Sequence, residues 1–326
     1  MGADVTTGIS KTAVDPTGFS TPCLFYSAAR EGMQDLLAQP EVWRSSPRRI
    51  LLPAFIGWSA NEGSGVFDPV SGLGLEPGFY DLGDDLAVDL ASLERCLSDQ
   101  HYDVVVVIHY FGRTERSIER VRALTDEHGA LLLEDLAHAW FTHVLGGPAG
   151  RTGEVSLYSL HKMLPMPQAQ GGMIAYRNPA RITGQQETAR ELARHVLDHD
   201  ALSIAGRRQE NFRTLTALLE AMPEHGAAFE LMWPHLDADD APQTLPARIL
   251  GPGRENRDHV YASMNADGYG MVSLYHTLIA ELHEHEAMVD LSRHIINFPV
   301  HQDVAPEDYP GLVDSFSRAL ASLPAR

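Results

Sequence analysis

A chain of 326 residues, 44% of them hydrophobic, can bury one large core with a smaller domain appended. With 44 acidic against 25 basic residues the formal net charge is -19. That field repels phosphate backbones and anionic headgroups, which argues against nucleic acid or membrane as partners.

Cys23 and Cys96 are far apart and imply neither a disulfide framework nor a zinc knuckle. Residues 1–20 are polar and expected to be extended or disordered. They show neither the order of a signal peptide nor an apolar run of bilayer length, so a cytoplasmic location is expected.

Short apolar runs alternate with amphipathic stretches through the first two-thirds of the chain, the pattern of an α/β domain around a largely parallel sheet. Residues 49–54 (RILLPA) read as a strand stopped by Pro53. Residues 61–78 form a glycine-rich loop without the G-x-x-x-x-G-K pattern of a phosphate loop, and are assigned to shaping a pocket. Residues 103–109 (DVVVVIH) predict a buried strand.

The stretch 116–128, apolar at 118, 121 and 124, predicts a helix that Gly129 ends. Strands follow at 130–134, 155–158 and 172–176. Beyond Asn178-Pro179 helical patterns dominate, roughly at 181–197, 203–222 and 306–322. A boundary near residue 200 therefore divides a large domain (1–200) from a small C-terminal α+β domain (201–326).

Ionisable residues gather just after several strands: His109 and Tyr110, Asp135 and His138, Ser159 and Lys162. In open α/β sheets the ligand crevice lies outside the carboxyl ends of the strands, so these segments aim polar side chains at one edge. Within SLYSLHKMLPMPQAQGGMIAY (156–176), Lys162 stands three residues after Ser159 and nine before Gly-Gly. A loop lysine is by default a surface residue. Here its neighbours Leu160, Met163, Leu164, Pro165 and Met166 make the partly apolar pocket that a lysine used for an imine needs.

In LLLEDLAHAW (131–140) an acidic pair closes a buried strand. Asp135 there is either a helix N-cap or a buried carboxylate that requires a cation, such as a pyridinium nitrogen. His283, Glu284 and His285 lack the i, i+4 spacing of a helical zinc pair and read as a solvated helix face.

Taken in order, these segments resemble the DegT/StrS type of sugar aminotransferases, which are fold-type I enzymes dependent on pyridoxal 5'-phosphate (PLP). Glu134, Asp135, Ala137 and His138 match that family's E-D-x-A-(Q/H) strand end. Ser159, Leu160, Lys162, Gly171 and Gly172 match a short S-L-x-K followed by G-G. His109 to Gly112 resembles V-H-x-x-G. Arg207, Arg208 and Asn211 to Arg213 resemble R-R-x-x-N-Y, and residues 298–303 (FPVHQD) resemble L-P-V-H-Q-D.

The resemblance implies a PLP-dependent transferase of the aspartate-aminotransferase fold with a mostly parallel central sheet, assembled as a homodimer. It further implies that Lys162 holds the cofactor covalently and shuttles protons, that Asp135 pairs with the ring nitrogen, and that His138 approaches the phenolic oxygen. Ser159 would bind the phosphate together with Ser27, Ala28 and Arg30 of the turn opening a helix at residues 25–30. For Arg30 a solvent-facing position is an equal alternative.

Trp58 is the candidate for stacking on the ring, with core packing as its alternative. Residues 61–78 stand where the family normally has a short helix, and the interval from Gly172 to Arg207 is shorter than usual.

The implied reaction moves an amino group from a small-molecule donor such as glutamate to a keto sugar or related scaffold in a biosynthetic pathway. Elimination, decarboxylation or carbon–carbon bond formation on the same cofactor are alternatives, and a non-catalytic relative is a further one. Arg30 and Arg113 are the nearest basic candidates for a donor carboxylate. The short interval before Arg207 suggests an acceptor smaller than a nucleotide-linked sugar.

Overall fold

The computed structural model describes residues 22–166, 168, 170–177, 190–251 and 253–323. The expectations for residues 1–20 and the start of the helix at 181–197 lie outside these residues.

A seven-stranded sheet organises the first half. It comprises β1 (Cys23–Tyr26), β2 (Arg49–Pro53), β3 (Glu76–Tyr80), β4 (Val104–Ile108), β5 (Leu131–Asp135), β6 (Val155–Ser159) and β7 (Gly172–Tyr176), in the order β1-β7-β6-β5-β4-β2-β3. The β6-β5-β4-β2-β3 portion is parallel, while β7 and β1 add two antiparallel pairings at one edge. The largely parallel α/β sheet expected from the sequence is therefore present.

Its strands read as continuous apolar runs because both faces are covered, and all five residues of β4 (VVVVI) are buried. Helices α1 (Ala29–Ala38), α2 (Phe67–Gly72), α3 (Leu90–Asp99), α4 (Ile118–His128) and α5 (Trp140–Leu145) fall between these strands in the chain. Asp89 caps α3 by accepting from the N–H groups of Ala91 and Ser92. Gly129 ends α4 in the left-handed region, at φ 68°, where a side chain would be strained.

Two strands carry no clear sequence signal. β1 has only four residues, and β3 (EPGFY) contains a proline and a glycine that read as a turn. β3 tolerates Pro77 because it is the edge of the sheet. The loop at 61–78 also differs from expectation, since it contains the short helix α2. Phe67, Pro69 and Val70 are buried on that helix, an apolar cluster that the surrounding glycines obscured.

The second half begins with α6 (Arg190–Leu197) and α7 (Ala201–Glu220), the latter capped by Asp200 on Ser203 N–H. A three-stranded antiparallel sheet follows, with β8 (Phe229–Leu231), β9 (Thr244–Ile249) and β10 (Ile295–Pro299) in the order β10-β9-β8. Helices α8 (Gly253–Ala266), α9 (Glu286–His294) and α10 (Tyr309–Ala321) complete it. Phe212, Phe229, Phe298 and Phe316 form part of a separate core beneath this sheet. Among the described residues no helix is long and apolar enough to cross a membrane.

Candidate active site

The carboxyl ends of β5 and β6 open into one cleft. Asp135 and His138 enter it from the end of β5, Ser159 from β6, and His161 and Lys162 from the turn that follows. The start of α1, the loop around residues 56–66, and Ser273 to Tyr275 from the second half form the remaining walls.

Side chains alternate along a strand, and this separates the two acids at the end of β5. Glu134 turns away from the cleft. It accepts hydrogen bonds from His109 Nε2 (2.9 Å) and from the backbone N–H groups of Gly150 (2.8 Å), Thr152 (2.9 Å) and Gly153 (2.5 Å). Burial raises its pKa, but the His109 contact and the Gly153 and Gly150 donors overcome that and hold it below the ordinary carboxylate value. His109 Nδ1 accepts from the Glu115 N–H (3.0 Å), so the ring proton sits on Nε2 and is donated to Glu134.

Asp135 faces the cleft and is buried. Its Oδ1 accepts the Ala137 N–H at 2.8 Å, and it has no ion pair among the described residues. Burial pushes its pKa up, only partly opposed by that N–H and by Lys162. His138 lies against Phe111 (6.2 Å between ring centres, near-parallel) and Tyr275 (5.9 Å, edge-on). Its Nδ1 is buried without a partner. Burial and the neighbouring Lys162 charge hold its pKa well below normal, so the ring is neutral.

Lys162 lines the cleft with much of its side chain open to solvent, while protein crowds around its amine. Burial lowers its pKa, while Asp135 and Glu62 pull it back up. A lysine so placed loses its proton more readily than a surface one, which is the state a nucleophilic amine needs.

Gly171 clasps two segments. Its N–H donates to Ser27 O (2.7 Å) and its carbonyl accepts the Leu160 N–H (2.8 Å), tying the lysine turn to the start of α1. At Gly172 a Cβ would fall 2.3 Å from Ala28 C and Ala29 N, so only glycine lets these backbones approach. Gly172→Ala is expected to cost about 3 kcal/mol of stability by forcing α1 away from β7. A melting temperature unchanged from that of the native chain would refute this.

Of the residues singled out from the sequence, the structure gathers Ala28, Arg30, Trp58, Asp135, His138, Ser159 and Lys162 around the cleft. It does not bring in Ser27, whose N–H turns to Glu31 Oε2 (3.1 Å). The anion-binding feature there is instead the start of α1, where Ala28 gives no side-chain cap. Arg30 is committed to Asp68 (3.1 Å) and to the Glu62 carbonyl, so it staples α1 to the glycine-rich loop. Trp58 is 47% exposed at the mouth, so its packing is not that of a core residue. Arg113 lies outside the cleft, over Trp233 (4.9 Å) and near Asp85 (3.8 Å).

Residues 64–202 match the model of the DegT/DnrJ/EryC1/StrS aminotransferase family. Those residues hold Asp135, His138, Ser159 and Lys162, in the order and spacing on which the resemblance was drawn.

GDP-perosamine synthase of Vibrio cholerae is 33% identical over 92 residues, which are 28% of this chain and 24% of that enzyme. The chain thus aligns with about a quarter of the length of such curated relatives. The Helicobacter pylori aminotransferase PseC, involved in pseudoaminic acid biosynthesis, has the same fold, with a TM-score of 0.73 at 17% identity over 92% of this chain and 87% of PseC. A putative sugar aminotransferase of Streptococcus pneumoniae, solved in its PLP form, gives 0.73 at 14% identity over 94% and 88%. The fold is therefore that of the aminotransferases across almost the whole chain.

Three features of the cleft and its surroundings go beyond what the motifs assign. Tyr275 enters the cleft from a distant segment with a strained φ of 58°, and it stacks on Phe55 (4.8 Å). No pattern around it in sequence marks it.

Arg208, from the R-R-x-x-N segment, is fully buried and donates to Met163 O (3.2 Å), Gln302 Oε1 (2.9 Å) and Pro242 O (3.4 Å), with its guanidinium over Phe141 (4.8 Å). Asn211 donates to the carbonyls of His301 (3.0 Å) and Val304 (3.2 Å). Two distant motifs therefore lock onto each other and onto the residue after Lys162.

The third signal was in composition. Among 25 Lys and Arg residues only Lys11 and Lys162 are lysines. In a chain that otherwise uses arginine, a lysine beside a strand end stands out, because arginine cannot form the imine.

Proposed function

We propose that the protein is a PLP-dependent aminotransferase that moves an amino group from a small-molecule donor to a keto sugar or related polyol scaffold in a biosynthetic pathway. One observation carries this reading: Lys162 and Asp135 share a cleft with the uncapped start of α1. The donor set fits PLP at each point. The helix start and Ser159 suit the phosphate, the unpartnered His138 Nδ1 suits an oxygen beside the ring, and Asp135 lacks the cation that a pyridinium would supply. When bound, PLP supplies an electron sink for the carbanion left by proton removal at the substrate's amine carbon.

The chain's own residues then have separate tasks. Lys162 holds the cofactor and carries the proton, Asp135 keeps the ring nitrogen protonated, and neutral His138 meets the ring oxygen. The matched family model and PseC, aminotransferases by name, support amino transfer over other chemistry on this cofactor. The decisive test is spectroscopic. Glutamate or glutamine added without an acceptor should convert the PLP form to the pyridoxamine form. If no amino donor shifted the spectrum while an amino acid gave a released product, elimination or decarboxylation would replace transamination.

The proposal extends to a cytoplasmic homodimer in which the partner subunit covers the cleft mouth. The exposed Trp58 at that mouth and the prevalence of two-fold dimers support it. Turnover by a species that sediments strictly as a monomer would overturn it. The large and small domains, divided near residue 200, are proposed as its two folding units.

A further inference from the structure

Among the described residues, Leu86, Phe111, Gln168 and Tyr275 are the non-glycine positions with a left-handed backbone. That conformation strains a bulky side chain, and two of these residues flank His138. Phe111 (φ 54°) lies near-parallel to the His138 ring at 6.2 Å, and Tyr275 (φ 58°) meets it edge-on at 5.9 Å. No side-chain hydrogen bond fixes that ring among the described residues, and its Nδ1 is buried without a partner. Its orientation is therefore left to packing.

The second half of the chain holds both flanking rings. The Gln243 N–H donates to Phe111 O (2.8 Å). Around Tyr275, four consecutive carbonyls each accept a hydrogen bond. Leu274 O accepts from Asn297 Nδ2 (3.1 Å) and Tyr275 O from Ser292 Oγ (2.8 Å). His276 O accepts from Arg257 Nη2 (3.3 Å) and Thr277 O from the Trp58 N–H (2.9 Å). A backbone so over-determined can keep a strained residue. The Tyr275 ring is further wedged between Phe55 (4.8 Å, stacked) and the edges of Tyr110 and Phe111 (both 5.4 Å). Its hydroxyl has no hydrogen bond among the described residues, so it is the ring that is held.

We propose that Tyr275 is a positioning residue: with Phe111 it clamps the His138 ring so that Nδ1 meets the phenolic oxygen of the cofactor. An ionised phenolic oxygen only accepts, so the nitrogen that meets it must donate, and a ring free to turn would lose that bond. This rests on the PLP-dependent reading above and adds to it the device that aims His138.

The test uses protein reconstituted with PLP and follows its visible band against pH, which requires no turnover. A donor at the ring oxygen stabilises the ionised form, so the proton shared with the lysine-linked nitrogen leaves at lower pH. Tyr275→Leu frees His138 and should raise the midpoint by about one pH unit. Tyr275→Phe keeps the ring edge and should leave the midpoint in place. In a His138→Ala background, where the midpoint is already raised, Tyr275→Leu should add nothing. Asp135, Lys162, Glu62, Arg30 and His161, which also line the cleft, are unaltered in all of these proteins, so the difference reports on His138.

Ser292→Ala, outside the cleft, removes the donor to the Tyr275 carbonyl and should raise the midpoint in the same direction. It decides the matter should Tyr275→Leu fail to fold. A midpoint unmoved or lowered in the deciding variant, an equal shift in Tyr275→Phe, or a shift that persists without His138 would overturn the proposal. Failure of the underlying reading is seen separately, as protein that acquires no borohydride-fixed PLP on Lys162.

Discussion

Replacing Lys162 with alanine is expected to abolish the visible absorption band that the protein acquires with PLP, together with its borohydride-fixed adduct. Turnover should fall by about a thousandfold or more, because the same residue carries the proton as well as the cofactor. The chain is well suited to this experiment. Lys11 and Lys162 are its only lysines, so peptide mapping of the reduced adduct has only Lys11 and the terminal amine to exclude.

The cleft also gives the pH dependence a sign. Burial lowers the Lys162 pKa, so its uncharged fraction rises with pH through a lower range than a surface lysine would show. Uptake of PLP by apoprotein should therefore quicken from mildly acidic toward neutral and alkaline pH. An adduct on Lys11, or an unaltered band in Lys162→Ala, would remove Lys162 from the chemistry.

The parts of the fold legible in the sequence are those whose burial is complete. β4 and β5 announce themselves because both faces of the sheet are covered, and α4 because its apolar period ends at a glycine that adopts φ > 0. β3 was hidden because an edge strand admits Pro77, and α2 because six residues cannot display a helical period among glycines.

The site divides in a similar way. Asp135, His138, Ser159 and Lys162 stand directly after strands and are local in sequence, so pattern finds them. Tyr275 reaches the cleft only through tertiary contacts, which no spacing records, and the spacing that marks Arg208 does not tell that it bonds to the Met163 carbonyl. Arg30 shows the opposite case. A basic residue in a phosphate-binding turn looks free in sequence, yet the structure pairs it with an acid 38 residues away.

Asp135→Asn should lower the catalytic rate by about a hundred- to a thousandfold, about 3 to 4 kcal/mol of transition-state stabilisation. Asparagine keeps the size of the side chain and an oxygen for the Ala137 N–H, but it cannot hold a ring nitrogen in its protonated form. The lysine-linked band should persist, since Lys162 and the helix start remain, and binding of substrate should change little.

Glu134→Gln is the control that the geometry provides. Glu134 gathers three backbone N–H groups and His109 in the interior, and burial leaves little tolerance for a neutral amide whose NH2 would confront donors. That substitution should lower thermal stability by about 2 to 4 kcal/mol. The fraction that remains folded should turn over at close to the normal rate. The adjacent acids are thus expected to separate, one changing rate without stability and the other stability without rate. If Asp135→Asn retained near-native turnover, or if Glu134→Gln slowed the folded enzyme as much, the alternation of side chains at the end of β5 would not be what assigns their roles.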